Sequence, residues 1–224
     1  MVDSADLKRY RKREFVRIPL RIIIGLLLFS LPAGGPQELY SVLPGQVFGI
    51  IFILQIVMER IIQAPDIGGR KLDQGSFVVG WLGHAVTFLV TVGDYFHFHS
   101  IKWSMAWLVA GIILVIIGQT IRIAAIRTLG RFFTPTVRVH SGHKVVKNGP
   151  YAYVRHPSYT GLLLLNLGYV TMFASIFGYV AFILFNVPAI INRIQVEEKA
   201  LVRKLGNDYK AYRRHVKRLI PYLY

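Results

Sequence analysis

Apolar residues along this chain form long, nearly continuous runs that are separated by short polar segments. The runs predict six membrane-spanning helices, at residues 18–33, 42–62, 77–97, 103–126, 158–175 and 177–195. A helix needs about 20 predominantly apolar residues to cross the hydrocarbon core of a bilayer. The strands of a β-barrel would instead alternate over segments of about ten residues. The predicted fold class is therefore all-α, a polytopic helical membrane protein with about six transmembrane helices.

The remaining segments complete this prediction. Residues 1–17 are polar and basic and predict a surface helix, and residues 196–218 predict a polar helical tail. The last two spans share a tight turn at "ASIFG", which favours a helical hairpin. The first run carries Arg21 and lacks a clear cleavage site after it, so we interpret it as a retained span. Without an internal repeat or a long linker, residues 1–224 are expected to form a single domain.

The distribution of charge orients the predicted helices. The chain has 27 Lys and Arg residues against 11 Asp and Glu residues, a formal net charge of +16. With a cytoplasmic N-terminus, every Lys and Arg outside the spans except Lys102 falls on the cytoplasmic side, as the positive-inside rule expects. Both termini are then cytoplasmic. Basic residues beside apolar runs suit an anionic leaflet, so we predict membrane lipids as partners and no nucleic acid.

Composition excludes several kinds of chemistry. The chain has no cysteine, which rules out disulfides, thiol catalysis and cysteine-ligated zinc or iron–sulfur sites. The histidines of "HFH" at 97–99, and His140 with His143 in "HSGH", offer too few ligands, so no metal site is predicted. For Arg21, Arg60 and Arg122, at or near span ends, snorkelling to the interface is a sufficient explanation.

One stretch carries more polar and aromatic chemistry than a connecting loop needs: "NGPYAYVRHPSYTG", residues 148–161. Pro157 suits the first turn of the fifth span, where its missing N–H costs nothing, and this places His156 near the N-cap. The N–H groups of such a helix start attract anions, including carboxylates. The tyrosines of this stretch add aromatic surface for a flat ring or a cation, although an interfacial aromatic belt also explains a tyrosine there.

Acidic residues are scarce beyond Asp94, and two of them, Glu197 and Glu198, directly follow the last span. Arg193 lies four residues before Glu197, so the two share one face of a helix. An exposed ion pair at a helix end, with about 0.3–0.5 kcal/mol, would explain this spacing by itself. The asparagines of the last spans suit helix–helix hydrogen bonds; they are Asn166, Asn186 and Asn192. Asn192 is also a candidate to line the path of an acceptor, because it adjoins Arg193.

Two segments together resemble a known family. "GHKVVKNGPYAYVRHPSYTG", followed by "NRIQVEEKALVRKLGNDYKAYRRHVKRLIP", is similar to the isoprenylcysteine carboxyl methyltransferase family, which is related to the phospholipid methyltransferases. The similarity covers roughly residues 129–221, and the motifs occur in the family's order. It implies N-terminal helices at 1–128 and a cofactor-binding, catalytic half at 129–224. Residues 1–128 show only a compatible hydropathy.

The resemblance implies S-adenosylmethionine as the cofactor, in a pocket at the cytoplasmic face. The implied cofactor-binding positions are His143, Lys144, Val145, Val146, Tyr151, His156, Pro157, Ser158, Tyr159 and Glu197. Val145 departs from the family's pattern, in which leucine is usual. The resemblance makes Arg193 a substrate-binding residue, and Asn192 joins it as a candidate. Arg193 and Glu197 are the implied catalytic pair. A Rossmann fingerprint is missing from the chain, as expected for a cofactor that membrane helices bind.

The implied activity is methyl transfer to a lipophilic or lipid-anchored acceptor, most specifically carboxyl O-methylation of the isoprenylcysteine type. A carboxylate acceptor is already ionised and needs a cation to orient it, a role that an arginine fulfils with two hydrogen bonds. Three alternatives remain open. They are N-methylation of a phospholipid headgroup, an NADPH-dependent reductase of the membrane sterol type, and a scaffold that has lost its catalysis.

Overall fold

The computed structural model of the protein describes residues 4–62, 70–71, 73, 75–133, 138–139 and 144–221. Its α-helices are α1 (Ser4–Ser30), α2 (Pro36–Ser41), α3 (Leu43–Ile62), α4 (Ser76–Gly93), α5 (Met105–Leu129), α6 (Pro157–Met172), α7 (Ile176–Ala181), α8 (Val187–Leu205) and α9 (Asn207–His215). Two short strands, β1 (Arg70–Lys71) and β2 (Arg138–Val139), pair antiparallel with Arg70 opposite Val139. The described chain is otherwise helical or irregular, as the predicted all-α class requires.

Four helices of the described chain are long and apolar enough to cross a membrane: Leu43–Ile62, Ser76–Phe98, Met105–Leu129 and Ile176–Leu205. The last of these joins α7 to α8 through a π-helical turn at Phe182–Asn186, so the predicted sixth span and the start of the polar tail are one continuous helix. The predicted surface helix and first span are likewise one helix, α1. The predicted fifth span is α6, which has 16 residues.

Helices α5 and α6 pack with their backbones in contact. Gly111 and Gly118 of α5 face Gly168 and Gly161 of α6, and each pair is so close that a Cβ would overlap backbone. A Cβ on Gly118 would lie 2.6 Å from the carbonyl oxygen of Gly161, and one on Gly111 would lie 2.6 Å from that of Gly168. Small residues at such crossings let membrane helices approach closely. The start of α6 is therefore held firmly against the end of α5.

An aromatic cluster fills the interior between α1, α3, α4 and α6. Phe48 stacks on Phe88 with ring centroids 4.0 Å apart, and Phe29 meets Phe88 edge-on at 4.8 Å. Tyr169 packs edge-on against Phe48, while its hydroxyl donates to Gln55 at 2.7 Å. Large apolar side chains, including Ile116 of α5, are exposed on the outer faces of the helices, as expected for surfaces that contact lipid.

Polar contacts fasten the end of the bundle at which α4 and α6 terminate. Asp94 is 2% exposed and accepts hydrogen bonds from the hydroxyls of Ser100 and Ser175. Ser175 also caps α7 by accepting from the backbone N–H of Gly178 at 2.8 Å. The turn between α6 and α7 is thereby fixed, which confirms the predicted helical hairpin. His97, from "HFH", lies with Nε2 2.7 Å from the carbonyl oxygen of Pro32.

The predicted asparagine contacts form in part. Asn166 of α6 donates through Nδ2 to Oδ1 of Asn186, at 3.2 Å and buried, so this pair does join two helices as expected. Asn192 lies on an exposed face of α8. It differs from the other two because its side of α8 is exposed, whereas the neighbouring Arg193 and Ile194 are buried.

We predict that Gly111→Ala destabilises the protein by about 1–3 kcal/mol, the usual cost of overpacking. The added methyl group would overlap the backbone of α6, which cannot withdraw without moving the hairpin. The measurement is the thermal unfolding midpoint in detergent. Ala110→Val is the matched control, because Ala110 is exposed on the same helix. Equal midpoints for the two variants would contradict the close contact.

Candidate functional site

The functional residues predicted from the sequence gather where α6 begins. Pro157 is the first residue of α6 and His156 is its N-cap, which confirms the expected helix start. His156 is 4% exposed, and its carbonyl oxygen accepts from the N–H groups of Tyr159 and Thr160 at 3.0 and 3.1 Å. Of the first-turn N–H groups, that of Tyr159 is thus already engaged. The helix start alone is a weaker anion site than its position suggested.

The C-terminal segment lies along the approach to α6. The N–H groups of Arg155 and His156 donate to the carbonyl oxygens of Lys217 and Arg218, at 2.7 and 3.0 Å. Thr160 continues the contact, since its hydroxyl donates to the carbonyl oxygen of Leu219 at 2.8 Å. We call residues 216–219 the C-terminal strap. It closes one side of the predicted site.

Glu198 connects the strap to the helix bundle. It is 3% exposed, and its Oε1 accepts from Arg155 Nε at 2.8 Å and lies 3.3 Å from His156 Nε2. Its Oε2 lies 3.2 Å from Arg218 Nη2 and 3.7 Å from Arg213 Nη2. One buried carboxylate therefore neutralises cations from three segments of the chain: the approach to α6, helix α9 and the strap.

Glu197, the predicted catalytic and cofactor-binding glutamate, points to a different group. Its Oε2 accepts from the hydroxyl of Tyr159 at 2.9 Å, and the oxygen of the same hydroxyl lies 3.4 Å from Arg193 Nη2. Arg193 and Glu197 are thus connected through the Tyr159 hydroxyl. The four-residue spacing was also compatible with a direct ion pair between Arg193 and Glu197 at the helix end. The two side chains instead meet at the Tyr159 hydroxyl.

Arg193 is buried and in contact on several sides. It is 7% exposed, and its guanidinium carbon lies 5.5 Å from the ring centroid of Phe77 and 5.7 Å from that of Tyr159. Nη1 lies 3.6 Å from Oδ1 of Asp73. The planar guanidinium has donors in a fixed fork that suits a carboxylate, and contacts with the two rings restrict its orientation.

Ser158 is anchored from the opposite direction. Its hydroxyl accepts from Arg122 Nη1 at 2.8 Å, while Arg122 Nη2 donates to Oε2 of Glu59 at 3.0 Å. The Arg122 side chain is 12% exposed. The expectation that Arg122 snorkels to the interface is therefore wrong, because a carboxylate on α3 and a hydroxyl on α6 bind it inside the bundle.

Burial keeps the tyrosines around the strap in their neutral form. Burial raises the pKa of Tyr212 to about 12, and its hydroxyl donates to the carbonyl oxygen of Tyr151 at 2.6 Å. The pKa of Tyr151 is raised well above its usual range, mainly by burial and further by the negative charge of Glu197. Burial, together with Glu198 and Glu197, also raises the pKa of Tyr209.

The remaining predicted residues lie around this centre or beyond the described chain. Residues 144–147 lack regular secondary structure; Lys144 is exposed, and Val145 and Val146 are half-buried. Asn192 is exposed and is not brought into the cluster. His143 lies outside the described residues. The structure thus brings together Tyr151, His156, Pro157, Ser158, Tyr159, Arg193 and Glu197.

A buried polar atom supports the fit of a ligand here. The hydroxyl of Tyr209 is buried and, within the described part of the chain, makes no hydrogen bond. Buried hydroxyls are nearly always hydrogen-bonded, and an exception calls for a missing partner. S-adenosylmethionine offers hydroxyl, ammonium and carboxylate groups for such a donor and for Glu197. The residues present therefore fit the cofactor that the sequence implied.

Comparison with known proteins assigns the chain. The sequence profile of the isoprenylcysteine carboxyl methyltransferase (ICMT) family matches residues 111–203. A probable protein-S-isoprenylcysteine O-methyltransferase from Oryza sativa subsp. indica is 36% identical over 172 residues, which cover 74% of this chain and 89% of the rice protein. The chain belongs to the ICMT family. Protein-S-isoprenylcysteine O-methyltransferase B from Arabidopsis thaliana is 30% identical over 173 residues, with 74% and 86% of the two chains covered.

A solved structure agrees with the fold of this ICMT-family chain. The eukaryotic intramembrane Ras methyltransferase ICMT superposes with a TM-score of 0.52 at 22% identity, over 80% of this chain and 68% of that one. The human protein-S-isoprenylcysteine O-methyltransferase is 30% identical over 164 residues, which cover 69% of this chain and 57% of the human protein. The shared architecture is that of an integral membrane protein.

Sequence reasoning missed three contributors to this site of the ICMT-family chain. Glu198 is the buried member of the glutamate pair, although Glu197 received the functional role. Asp73 reaches Arg193 from just before α4, and Glu59 reaches Arg122 from α3. A signal existed for Glu198, because only three acidic residues follow Asp94 and the C-terminal segment is rich in Lys and Arg. Each of these carboxylates is therefore a candidate partner for several cations. The other two pairings join distant segments and give no local pattern.

We predict that Glu198→Gln releases the C-terminal strap, because removal of one partner from a buried ion cluster leaves its cations uncompensated and costs about 3–5 kcal/mol. The N–H groups of Arg155 and His156, which donate to the strap, are the reporters. Their hydrogen exchange should accelerate by at least tenfold. Lys199→Gln, on the exposed side of the same helix, is the control. Unchanged protection of both amides in Glu198→Gln would contradict the role of this carboxylate.

Proposed function

We propose that the protein transfers the methyl group of S-adenosylmethionine to the carboxylate of a lipophilic acceptor of the isoprenylcysteine type. The observation that carries the proposal is the chain of contacts from Arg193 through the Tyr159 hydroxyl to Glu197. These contacts join Arg193, a cation that can bind the carboxylate of an acceptor, to Glu197, a carboxylate that can accept hydrogen bonds from the cofactor. Family membership, and the names of the rice and Arabidopsis relatives, support the same reaction.

The reaction makes modest demands on side-chain chemistry. When bound, S-adenosylmethionine would supply an activated methyl group, whose transfer to a carboxylate oxygen would form a C–O bond and break the C–S bond of the sulfonium. The acceptor's negative charge and the sulfonium's positive charge are both neutralised, and no proton moves. The main task of the protein is therefore to align the acceptor with the cofactor. Such alignment by itself lowers the activation barrier of a reaction substantially.

Arg193 is suited to hold the acceptor's carboxylate. Its guanidinium is buried between the rings of Phe77 and Tyr159, where solvent screens charge poorly and an anion is bound more strongly. The same burial excludes water, which would otherwise compete for the guanidinium donors. Arg193 and Glu197 are four residues apart on α8, so the helix sets their separation. The Tyr159 hydroxyl contacts both side chains and so limits their movement.

The proposed cofactor side of the site consists of Tyr151, His156, Ser158, Tyr159 and Glu197. Tyr151 and Tyr159 supply aromatic surface, Glu197 supplies a carboxylate, and Ser158 supplies a hydroxyl held by Arg122. Lys144, Val145 and Val146 extend this side, and His143 is assigned to it by family resemblance. We place the site at the cytoplasmic face of the membrane, in line with the distribution of Lys and Arg along the chain. The acceptor's lipid tail then remains among the apolar helices.

The decisive test supplies purified protein with methyl-labelled S-adenosylmethionine and an S-farnesylcysteine derivative that has a free carboxylate. We expect a labelled product from which mild base releases the label, as a methyl ester requires. The matched control is the same acceptor as its carboxamide, which should remain unlabelled. Base-stable label on an amine of added phospholipid would instead indicate headgroup N-methylation, and tight binding of NADPH without methyl transfer would indicate a reductase.

We also predict that Arg193→Gln raises the KM for the farnesylcysteine acceptor at least tenfold and leaves the KM for S-adenosylmethionine within twofold. Glutamine removes the charge that orients the acceptor while it retains a polar side chain. Arg203→Gln, which lies exposed on the same helix, should behave as the unsubstituted protein. Full turnover and unchanged acceptor KM in Arg193→Gln would remove Arg193 from the acceptor site.

A further inference from the structure

The carboxylate of Asp73 is held rigidly at the start of α4. Asp73 is 3% exposed. Its Oδ1 accepts from the hydroxyl of Ser76 at 2.9 Å, and its Oδ2 accepts from the backbone N–H of Phe77 at 3.1 Å. The carbonyl oxygen of Asp73 also accepts from the Ser76 N–H at 2.9 Å. A carboxylate with both oxygens bonded to a helix start has little freedom to rotate.

This fixed charge faces the flexible end of a long side chain. Nη1 of Arg193 lies 3.6 Å from Oδ1 of Asp73, and the two side chains are only 8% and 3% exposed. An arginine side chain has many rotamers, and holding it in one orientation costs conformational entropy. A buried counter-charge at a fixed position favours the one rotamer that reaches it. Phe77, whose N–H bonds to Asp73, also presents its ring to the guanidinium.

Gly80 opens the route by which Arg193 reaches this position. A Cβ at Gly80 would lie 2.6 Å from Cδ of Arg193. The stem of the arginine therefore passes directly over the bare backbone of α4. Glycine in the interior of a helix is unfavourable by about 1 kcal/mol relative to alanine, so a packing reason is needed for it. The passage of the Arg193 stem supplies that reason.

We propose that Asp73 is a positioning residue for methyl transfer: it orients the guanidinium of Arg193 toward the acceptor carboxylate, and Gly80 provides the space that this orientation requires. The inference rests on the proposed function, because it presupposes that Arg193 binds the acceptor. Asp73 does not touch either ligand in this account. It sets the direction in which Arg193 presents its guanidinium, and so contributes to the selection of a carboxylate over a neutral acceptor.

The variant that tests the charge separately from the helix start is Asp73→Asn. Asparagine has nearly the shape of aspartate and keeps a carbonyl oxygen for Ser76 or the Phe77 N–H, but it removes the counter-charge. We expect the KM for the farnesylcysteine acceptor to rise about tenfold, as for other small misplacements of a binding group. The KM for S-adenosylmethionine should stay unchanged. The thermal midpoint should fall, because Arg193 loses a buried counter-charge, so the test is the contrast between the two KM values. A purely structural residue would affect the KM of both substrates alike.

Gly80→Ala approaches the same guanidinium from the other side while Asp73 remains intact. The added methyl displaces the Arg193 stem, and alanine raises helix propensity, so a loss cannot come from a weaker helix. The acceptor KM should again rise while the cofactor KM is unchanged. Val79→Ala, at the exposed neighbouring position, is the control. If Asp73→Asn does not fold, Gly80→Ala decides the question by itself.

Arg193→Gln in the same assay separates this inference from the proposed function. If Arg193→Gln leaves the acceptor KM unchanged, the assigned role of Arg193 fails. If Arg193→Gln raises the acceptor KM but folded Asp73→Asn and Gly80→Ala do not, the positioning role of Asp73 is overturned. The double variant Asp73→Asn/Arg193→Gln should be no worse than Arg193→Gln alone, because residues that act through one another are non-additive.

Discussion

The site depends on one buried carboxylate that several cations share. Glu198 pairs with Arg155 and Arg218, so a chain of formal charge +16 can fold its basic C-terminal strap against the basic segment that precedes α6. Without that carboxylate, like charges on the two segments would repel each other in a poorly solvated region. With it, the strap closes over the start of α6. The positions of His156, Tyr151 and Tyr159 follow from this closure.

A second constraint acts from the membrane side. The glycine contacts between α5 and α6 bring Arg122 to Ser158, and Arg122 in turn holds Glu59 of α3. The start of α6 is therefore fixed by backbone packing along the bundle and by ion pairs above it. Arg193, on α8, meets this fixed point through Tyr159. Four helices, α3, α5, α6 and α8, thus fix the position of Tyr159 against Arg193 and Glu197.

Features with a local cause were predictable from the sequence. The helix start at Pro157 follows from the geometry of proline, and the hairpin follows from two apolar runs with a short turn. The partners of Glu198 were not predictable, because Arg155 and Arg218 lie 43 and 20 residues away. The resemblance to the family pointed to Glu197 as the functional glutamate. The buried glutamate is Glu198, because basic residues far away in the sequence surround it. The seven-residue spacing of Gly111 and Gly118, and of Gly161 and Gly168, was a readable signal of close helix packing.

The length of α6 has a consequence for the bilayer. A helix of 16 residues rises about 24 Å, whereas the hydrocarbon core of a typical membrane is about 30 Å thick. A helix of this length that crosses a bilayer relieves the mismatch by local thinning, by snorkelling of flanking residues or by association with its neighbours. Thinning would bring the polar residues at the start of α6 below the level of the surrounding headgroups. The proposed acceptor, anchored by its lipid, would then reach them by lateral diffusion, with its tail still dissolved in the membrane.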